Sequence, residues 1–158
     1  MPLPLKRDKR FHQGFYNPRN PQKYIGTGQI IYRSSIEAKF MRFCDDNPNV
    51  IKWGSENVIV EYYDTILQKK RKYYVDNFVV IKEGNVLKKY LIEIKPLSQT
   101  KKPIDTKKRK KAHLLYEQCA FETNMCKWKT ANEYAKNIGA EFLLLAYSEK
   151  KGWERIFF

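Results

Sequence analysis

Cysteine is scarce in this 158-residue chain, and its scarcity limits the kinds of metal site that the protein can form. The three cysteines, Cys44, Cys119 and Cys126, are odd in number and match no zinc-ligand spacing. We expect them to be reduced thiols in a cytosolic compartment. A metal site in this chain should therefore consist of oxygen ligands, which favour Mg²⁺ or Mn²⁺.

Long apolar runs are also absent from the sequence. No stretch approaches the roughly 20 residues that span a membrane, and the first residues contain no apolar core of a signal peptide. A basic helix that lies on an acidic membrane needs a strongly apolar opposite face, and no segment has one. The sequence therefore predicts no membrane partner.

Acidic residues are the third shortage. Seventeen acidic residues stand against thirty-one lysines and arginines, which leaves a net charge of +14. Such an excess is typical of proteins that bind a polyanion, and nucleic acid is the first candidate. The length and the aromatic content of 15% indicate one folded domain with a core of its own.

Residues 1–30 are polar and basic, and prolines and glycines interrupt any periodic pattern there. The sequence predicts an extended arm over 1–30 and the folded domain over 31–158. Aromatic side chains should order part of the arm, namely Phe11, Phe15, Tyr16 and Tyr24. The arm either wraps the domain edge or grips phosphates or a protein partner. Its candidate phosphate contacts are Lys6, Lys9 and Arg10.

Two strand-like runs, 73–81 and 88–96, are separated by a turn-like segment and predict a β-hairpin. Each run contains an acid, Asp76 in the first and Glu93 in the second. Alternation places Glu93 and Lys95 on one face of their strand. On the first strand the face that holds Asp76 is otherwise apolar, with Tyr74, Phe78 and Val80. A carboxylate there needs a partner, and two converging carboxylates beside an ammonium would form a divalent-metal site.

A helix is predicted over 34–44, where Ser34 and Glu37 have the spacing of a capping box. The apolar stripe of this helix is predicted at Ile36, Phe40 and Phe43. Glu37 either caps its own helix or leans toward the sheet beside the buried stripe.

The other elements complete an α/β (α+β) domain with a central mixed sheet flanked by helices. A strand at 58–64, followed by a basic loop at 68–72, should precede the hairpin in an antiparallel meander. Later elements are helices over 106–122 and 127–138, a strand over 141–147, and an edge strand from Trp153 to Phe158. The predicted order is α-β-β-β-α-α-β.

Five consecutive basic residues stand near the start of the helix predicted over 106–122, namely Lys107, Lys108, Arg109, Lys110 and Lys111. Positive charge is unfavourable at the amino end of a helix, which points to an external anion. A solvated run of charge is the alternative. If these residues bind DNA, they contact phosphates without reading sequence, so binding should be salt-sensitive.

An acid on the first helix, an acid on one strand and Glu-x-Lys on the next resemble the PD-(D/E)XK nuclease superfamily, with Val75 in place of the proline. Four segments further resemble the head completion nuclease family of tailed bacteriophages: 32–44, 74–76, 93–96 and 127–134. The resemblance implies that Asp76, Glu93 and the carbonyl of Ile94 hold Mg²⁺ or Mn²⁺. It also implies that Glu37 completes the site and that Lys95 activates or orients water. Beside the metal we expect a lowered pKa for Lys95.

The same resemblance implies a metal-dependent DNA nuclease that acts in head completion and head–tail joining after DNA packaging. Its expected partners are double-stranded DNA and head, portal or neck proteins. Its expected location is the host cytoplasm during assembly, and also the virion. Two alternatives stay open: a structural neck or connector protein with a vestigial site, and a repair or transposition nuclease of the same superfamily.

Overall fold

The computed structural model describes residues 13–158, so Lys6, Lys9 and Arg10 of the predicted arm lie outside the described part. The strands are β1 (Gly14–Tyr16), β2 (Ile30–Tyr32), β3 (Val50–Ser55), β4 (Ile59–Asp64), β5 (Lys69–Tyr74), β6 (Asn77–Glu83), β7 (Val86–Pro96), β8 (Glu141–Ser148) and β9 (Gly152–Ile156). The α-helices are α1 (Ser35–Asp46) and α2 (Lys111–Asn137). Single 3-10 turns cover Pro21–Lys23 and Leu97–Thr100.

The centre of the molecule is a mixed sheet with the strand order β3-β6-β7-β8-β9. β7 and β8 pair in parallel, and the other neighbours in this sheet are antiparallel. A parallel pair needs a long crossover, and α2 forms it here. The predicted class, a mixed sheet flanked by helices, is confirmed.

Apolar side chains bury both faces of the sheet. On one face Phe40 and Met41 of α1 pack with Trp53 and Ile92. On the other face Trp128 of α2 is fully buried with residues of β4, β5, β7 and β8. Strand alternation along β7 sends Leu91 and Glu93 to the α2 face and Ile92 and Ile94 to the α1 face.

The predicted hairpin of β6 and β7 is confirmed, with Glu83 paired to Val86 across a two-residue turn. Gly84 has φ of +62°, a left-handed conformation that glycine adopts without the steric cost of a side chain. The register pairs Asn77 with Ile92, so the residue before Asn77 stands opposite Glu93. That residue is Asp76, at the point where the hairpin ends.

The predicted meander is wrong in its first strand. β4 pairs only with β5 among the described strands, as a separate two-stranded sheet, and β3 takes the place beside β6. The predicted run 73–81 is broken at Val75 and Asp76, and the predicted loop 68–72 is largely strand β5. The physical reason is burial: Tyr62, Tyr73 and Val75 cover α2 rather than extend the central sheet.

The two helices predicted over 106–122 and 127–138 are one helix, α2. The residues between them, Thr-Asn-Met-Cys, include no glycine or proline that would end a helix. The helix begins at Lys111, so residues 107–110 precede it rather than form its first turn. Within residues 13–158 no helix has the length and apolar character needed to cross a bilayer.

The buried face of α1 differs from the predicted stripe. Phe40, Met41, Cys44 and Asp45 are buried, whereas Phe43 is 48% exposed. Ile36 is half-buried near the start of the helix. This face is therefore shifted toward the side on which Asp45 meets the amino-terminal segment.

Residues 14–32 pack along the α1 side of the domain. β1 pairs antiparallel with β2, and Tyr16 and Tyr24 meet the buried ring of Trp53 edge-on at 5.8 and 4.8 Å. Asp45 accepts hydrogen bonds from the Tyr16 hydroxyl (2.7 Å) and from the backbone N–H of Arg19 (2.8 Å) and Asn20 (2.9 Å). These contacts attach the segment to the domain.

Candidate active site

Asp76 lies in the two-residue link between β5 and β6, and backbone contacts fix the link. The Val75 N–H donates to the carbonyl of Val58 (3.0 Å), and the Glu56 N–H donates to the carbonyl of Asp76 (3.1 Å). The side chain of Asp76 accepts a hydrogen bond from the Ile94 N–H at 2.8 Å through Oδ2. The break in the strand thus directs the carboxylate of Asp76 at the backbone of β7.

Glu93 lies within β7 and is 3% exposed. Its Oε1 is 3.2 Å from Lys95 Nζ, two residues along the same face of the strand, as the alternation predicted. Its Oε2 accepts a hydrogen bond from the hydroxyl of the buried Tyr73. Both carboxylate oxygens therefore have a partner, which is what a buried charge needs.

The two carboxylates open into one cleft of about 450 Å³. Its walls come from the segment between β2 and α1, the loop between β3 and β4, the β4–β5 hairpin with the link that follows it, β7 and α2. Its lining residues are Arg33, Glu56, Lys72, Tyr73, Tyr74, Asp76, Glu93, Lys95 and Lys127. Four of these nine side chains are basic and three are acidic. The structure therefore brings together three of the four predicted catalytic residues: Asp76, Glu93 and Lys95.

Electrostatic repulsion is concentrated at Asp76. Burial raises the pKa of Asp76 well above its ordinary value, and the carboxylates of Glu93 and Glu37 raise it further. The Lys95 ammonium and the Ile94 N–H offset this only in part. A group held in this way is stabilised by any added positive charge.

The donor set fits a hard divalent cation with few protein ligands. Within residues 13–158 no three His, Cys, Asp or Glu side chains are grouped closely enough to form a metal cluster by themselves. Mg²⁺, however, keeps several waters and is commonly bound by one or two carboxylates. Asp76 and Glu93 supply two carboxylates at one edge of the sheet, so the residues present fit such an ion.

The backbone of Ile94 faces the same edge. In a strand the N–H and C=O of one residue point to the same neighbour, and the N–H of Ile94 points to Asp76. β6 begins only at Asn77, opposite Ile92, so no β6 residue pairs with Ile94. Its carbonyl is consequently directed toward the side on which Asp76 lies.

Lys95 is half-buried and lies 3.2 Å from Glu93. Burial lowers the pKa of Lys95, but the carboxylates of Glu93, Asp76 and Glu37 outweigh burial and raise it above the ordinary value. The lowered pKa that we expect for Lys95 beside a bound cation stays a prediction.

Glu37 lies next to this cleft rather than in it. It lines a second cleft of about 450 Å³ with Ile94, Lys95 and Pro96. Its N–H donates to Ser34 Oγ (3.2 Å), and its Oε2 accepts from the Arg33 N–H (3.0 Å), so Glu37 is part of the cap of α1. Burial raises the pKa of Glu37, and the charges of Glu56 and Glu93 add to this.

The sequence is similar to known nucleases. Residues 47–146 match the family model described as TnsA-like endonuclease N terminal. The chain is 34% identical over 143 residues to a protein named head completion nuclease from Enterobacteria phage T4, with 85% of this chain and 90% of that protein covered. The chain belongs to the head completion nuclease family. No solved structure matches it.

Membership in the head completion nuclease family confirms the predicted family, the PD-(D/E)XK type of fold and a nuclease function. The matched range of the endonuclease model includes Asp76, Glu93 and Lys95, whereas Glu37 precedes it. The roles of single residues stay predictions.

The basic cluster of 107–111 is exposed and consists of the four residues before α2 and the first residue of that helix. None of its five residues lines the cleft that holds Asp76. Arg109 forms an ion pair with Glu117, and His113 Nε2 is 3.1 Å from the same carboxylate. The structure thus does not bring Lys107, Lys108, Arg109, Lys110 and Lys111 to the carboxylates.

Two residues at the cleft of this head completion nuclease homologue were missed from sequence. Tyr73 binds Glu93, and Lys127 places its Nζ 5.6 Å from the centroid of the Tyr73 ring. Burial lowers the pKa of Lys127, and the nearby Glu93 offsets this in part. A signal existed for Lys127, because it directly precedes Trp128 near the buried side of a helix. Tyr73 looked like an ordinary strand residue.

Proposed function

We propose that this protein is a deoxyribonuclease that depends on a divalent cation, Mg²⁺ or Mn²⁺, held by Asp76, Glu93 and the carbonyl of Ile94. The observation that carries the proposal is the meeting of Asp76 and Glu93 at the end of the hairpin, with Lys95 beside them in one cleft. Burial and the neighbouring carboxylates raise the pKa of Asp76 well above its ordinary value, and such perturbed groups are typical of functional sites.

The chain's own residues would position and neutralise the substrate. A bound Mg²⁺ polarises a phosphoryl oxygen and lowers the pKa of a coordinated water. We assign Lys95, which is paired with Glu93, to activating or orienting the attacking water and to stabilising the negative charge on the phosphate. Lys127 and Lys72 enter the same cleft and supply further positive charge toward the phosphate.

Tyr73 and Glu37 are proposed to act through the carboxylates. The Tyr73 hydroxyl donates to Glu93 and so fixes the orientation of its carboxylate. Glu37 is near enough to raise the pKa of Asp76, and it is proposed as the helix acid that completes the site. Its capping contacts explain its position without excluding this role.

The biological setting follows the named relative. We propose that the protein cleaves double-stranded DNA, as an endonuclease, an exonuclease or both, during phage head completion and head–tail joining after packaging. It would contact head, portal or neck proteins in the host cytoplasm and remain in the virion where it stays attached. Phosphates would be held by Lys107, Lys108, Arg109, Lys110 and Lys111 and by the arm's Lys6, Lys9 and Arg10, so cleavage would be salt-sensitive and independent of sequence.

A cleavage assay with matched variants tests this proposal. Linear and circular duplex DNA are incubated with the wild type, Asp76→Ala and the control Asp46→Ala, with Mg²⁺ and with EDTA. We expect cleavage by the wild type and the control in Mg²⁺ alone, and none by Asp76→Ala. Equal cleavage by the wild type and Asp76→Ala would refute the assignment. Salt-sensitive binding without cleavage would instead support the structural neck protein.

A further inference from the structure

The outer face of the β4–β5 hairpin continues directly from the proposed active-site cleft. β4 and β5 pair in the register Ile59 with Tyr74, Glu61 with Lys72 and Tyr63 with Lys70. The alternate residues Val60, Tyr62 and Tyr73 are buried against α2, so these three pairs share the opposite face. Lys72 and Tyr74 also line the cleft that holds Asp76 and Glu93.

This outer face displays aromatic rings that no described element covers. Tyr74 is 51% exposed and Tyr63 is 53% exposed. The two rings are separated by four residues of the register, about 13 Å along the strand at 3.3 Å per residue. Lys72 lies between the two rings, and Lys70 is paired with Tyr63 across the hairpin. One acid, Glu61, lies on the same face. The hairpin as a whole has four basic and two acidic residues.

The far end of the hairpin is held rigidly. Asp64 is fully buried, and its Oδ1 accepts hydrogen bonds from the N–H groups of Ile66 (2.9 Å) and Leu67 (3.1 Å). Its Oδ2 is 3.1 Å from Arg71 NH1. A surface that is fixed before binding loses less conformational entropy when it binds a ligand.

We propose that the outer face of the β4–β5 hairpin binds a single, unpaired DNA strand beside the scissile phosphate, with Tyr74 and Tyr63 against bases and Lys72 and Lys70 against phosphates. Exposed rings combined with lysines are the elements by which proteins hold single strands without reading sequence. In a duplex each base is covered by its neighbours about 3.4 Å away. Rings about 13 Å apart can lie against bases only where the strand is unpaired and extended.

The inference rests on the proposed nuclease function and specifies its substrate: DNA with an unpaired strand at the cleavage site, such as an overhanging end. The outer face is continuous with the cleft, because Tyr74 and Lys72 line both of them. The DNA that contacts this face is therefore the DNA that enters the cleft. The excess of positive charge on the hairpin favours a polyanion over an acidic or neutral protein segment.

Binding in EDTA tests the inference separately from catalysis. Fluorescence anisotropy is measured for a labelled single strand and for the blunt duplex of the same sequence, with the wild type, Tyr63→Ala, Tyr74→Ala and the corresponding Tyr→Phe variants. Phe43→Ala removes a similarly exposed ring on α1 and is the control. We expect each Tyr→Ala change to weaken single-strand binding about fivefold or more and duplex binding less than about twofold. The Phe variants and the control should bind like the wild type.

Unchanged single-strand binding by both alanine variants, or equal losses for both DNAs, would overturn the inference. Ultraviolet cross-linking of a bromodeoxyuridine strand to the wild type gives a second measurement that needs no folded variant. Adducts should map to Tyr63 or Tyr74, in tryptic peptides 53–69 and 73–82. Adducts confined to other peptides would contradict it. If the wild type binds as expected but cleaves no DNA in Mg²⁺, the nuclease proposal fails and the binding face stands.

Discussion

Two pairs of acids in this domain are withdrawn from solvent in different ways. Asp45 and Asp64 are surrounded by hydrogen-bond donors, whereas Asp76 and Glu93 stand opposite each other near a third acid, Glu37. Burial alone would raise the pKa of Asp45, but donors from Tyr16 and from the Arg19 and Asn20 backbone hold that pKa below its ordinary value.

In the second pair, the pKa of Asp76 is shifted in the opposite direction. Burial and the neighbouring carboxylates raise the pKa of Asp76 well above its ordinary value. Asp64, by contrast, has its pKa lowered by the Leu67 N–H and by Arg71. Carboxylates surrounded by donors stabilise the fold, and carboxylates that repel each other cost stability until a cation arrives. Asp45 and Asp64 therefore stabilise the fold, and we propose that Asp76 and Glu93 serve the chemistry.

The largest expected effect is the loss of DNA cleavage when an acid of the second pair is changed. Asp76→Asn should reduce the rate of DNA cleavage in Mg²⁺ by about 10³-fold or more, since it removes one of two proposed carboxylate ligands. Its free energy of unfolding without metal should equal or exceed that of the wild type, because a repelling charge is gone. Initial cleavage rates and urea unfolding measure the two quantities. A variant that cleaves within about tenfold of the wild type would end the distinction.

The matched change Asp45→Asn should do the reverse. An amide cannot accept all the hydrogen bonds that the carboxylate accepts, so the free energy of unfolding should fall by about 2 kcal/mol. Cleavage by the folded protein, assayed well below the melting temperature, should stay within about threefold of the wild type. A large loss of cleavage with unchanged stability would place Asp45 in the site instead.

The lowered pKa of Asp45 also predicts how the stability difference between the wild type and Asp45→Asn depends on pH. The folded-state pKa of Asp45 is lowered, so its contribution to stability is present above the unfolded value of about 3.9 and is lost as pH falls toward the folded value. The stability difference between the wild type and Asp45→Asn should therefore shrink on acidification. Urea unfolding at a series of pH values measures it, and a difference that grows at low pH would contradict the lowered pKa.

A smaller effect is expected from the residue that orients Glu93. Tyr73→Phe removes the hydroxyl that donates to Glu93 and keeps the buried ring. The Mg²⁺ concentration for half-maximal cleavage should rise about tenfold, as is common when a residue behind a metal ligand is changed. Cleavage rates across a Mg²⁺ titration measure it. An unchanged Mg²⁺ requirement would show that Tyr73 serves packing alone.

The smallest pair of effects concerns the alternative functions of Glu37. Ser34→Ala should cost about 1 kcal/mol of stability through loss of the helix cap, with cleavage retained. Glu37→Gln keeps an acceptor for the Arg33 N–H but removes the charge, so stability should be retained and cleavage should fall about fivefold. If Glu37→Gln cleaves like the wild type, Glu37 is a cap and nothing more.

Local patterns in the sequence predicted the part of the fold that positions the site. The alternation of Glu93 and Lys95, the Gly84 turn and the cap at Ser34 each depend on neighbours within a few residues, and each was found. The break at Val75 depends on burial against α2, far along the chain, and the place of β3 beside β6 depends on the packing of Val50 and Trp53 with α1. No local pattern contains that information.

The same distinction holds for the site. Asp76 and Glu93 were recognisable because acids inside apolar runs are conspicuous, and the resemblance to a nuclease family supplied a use for them. Tyr73 and Lys127 reach the cleft through tertiary contacts alone, so sequence did not single them out. The lowered pKa of Lys95 stays a prediction because it depends on a bound cation, whereas the carboxylates of Glu93, Asp76 and Glu37 raise that pKa.

The most direct test of the central claim is the effect of Mg²⁺ on the stability of the wild type and of Asp76→Asn. Urea unfolding is followed at one neutral pH, with EDTA and with millimolar Mg²⁺, with Asp45→Asn as the control. We predict that Mg²⁺ raises the free energy of unfolding of the wild type and of Asp45→Asn and leaves Asp76→Asn unchanged. Equal responses of the wild type and Asp76→Asn to Mg²⁺ would contradict the claim that this pair of repelling carboxylates is a metal site.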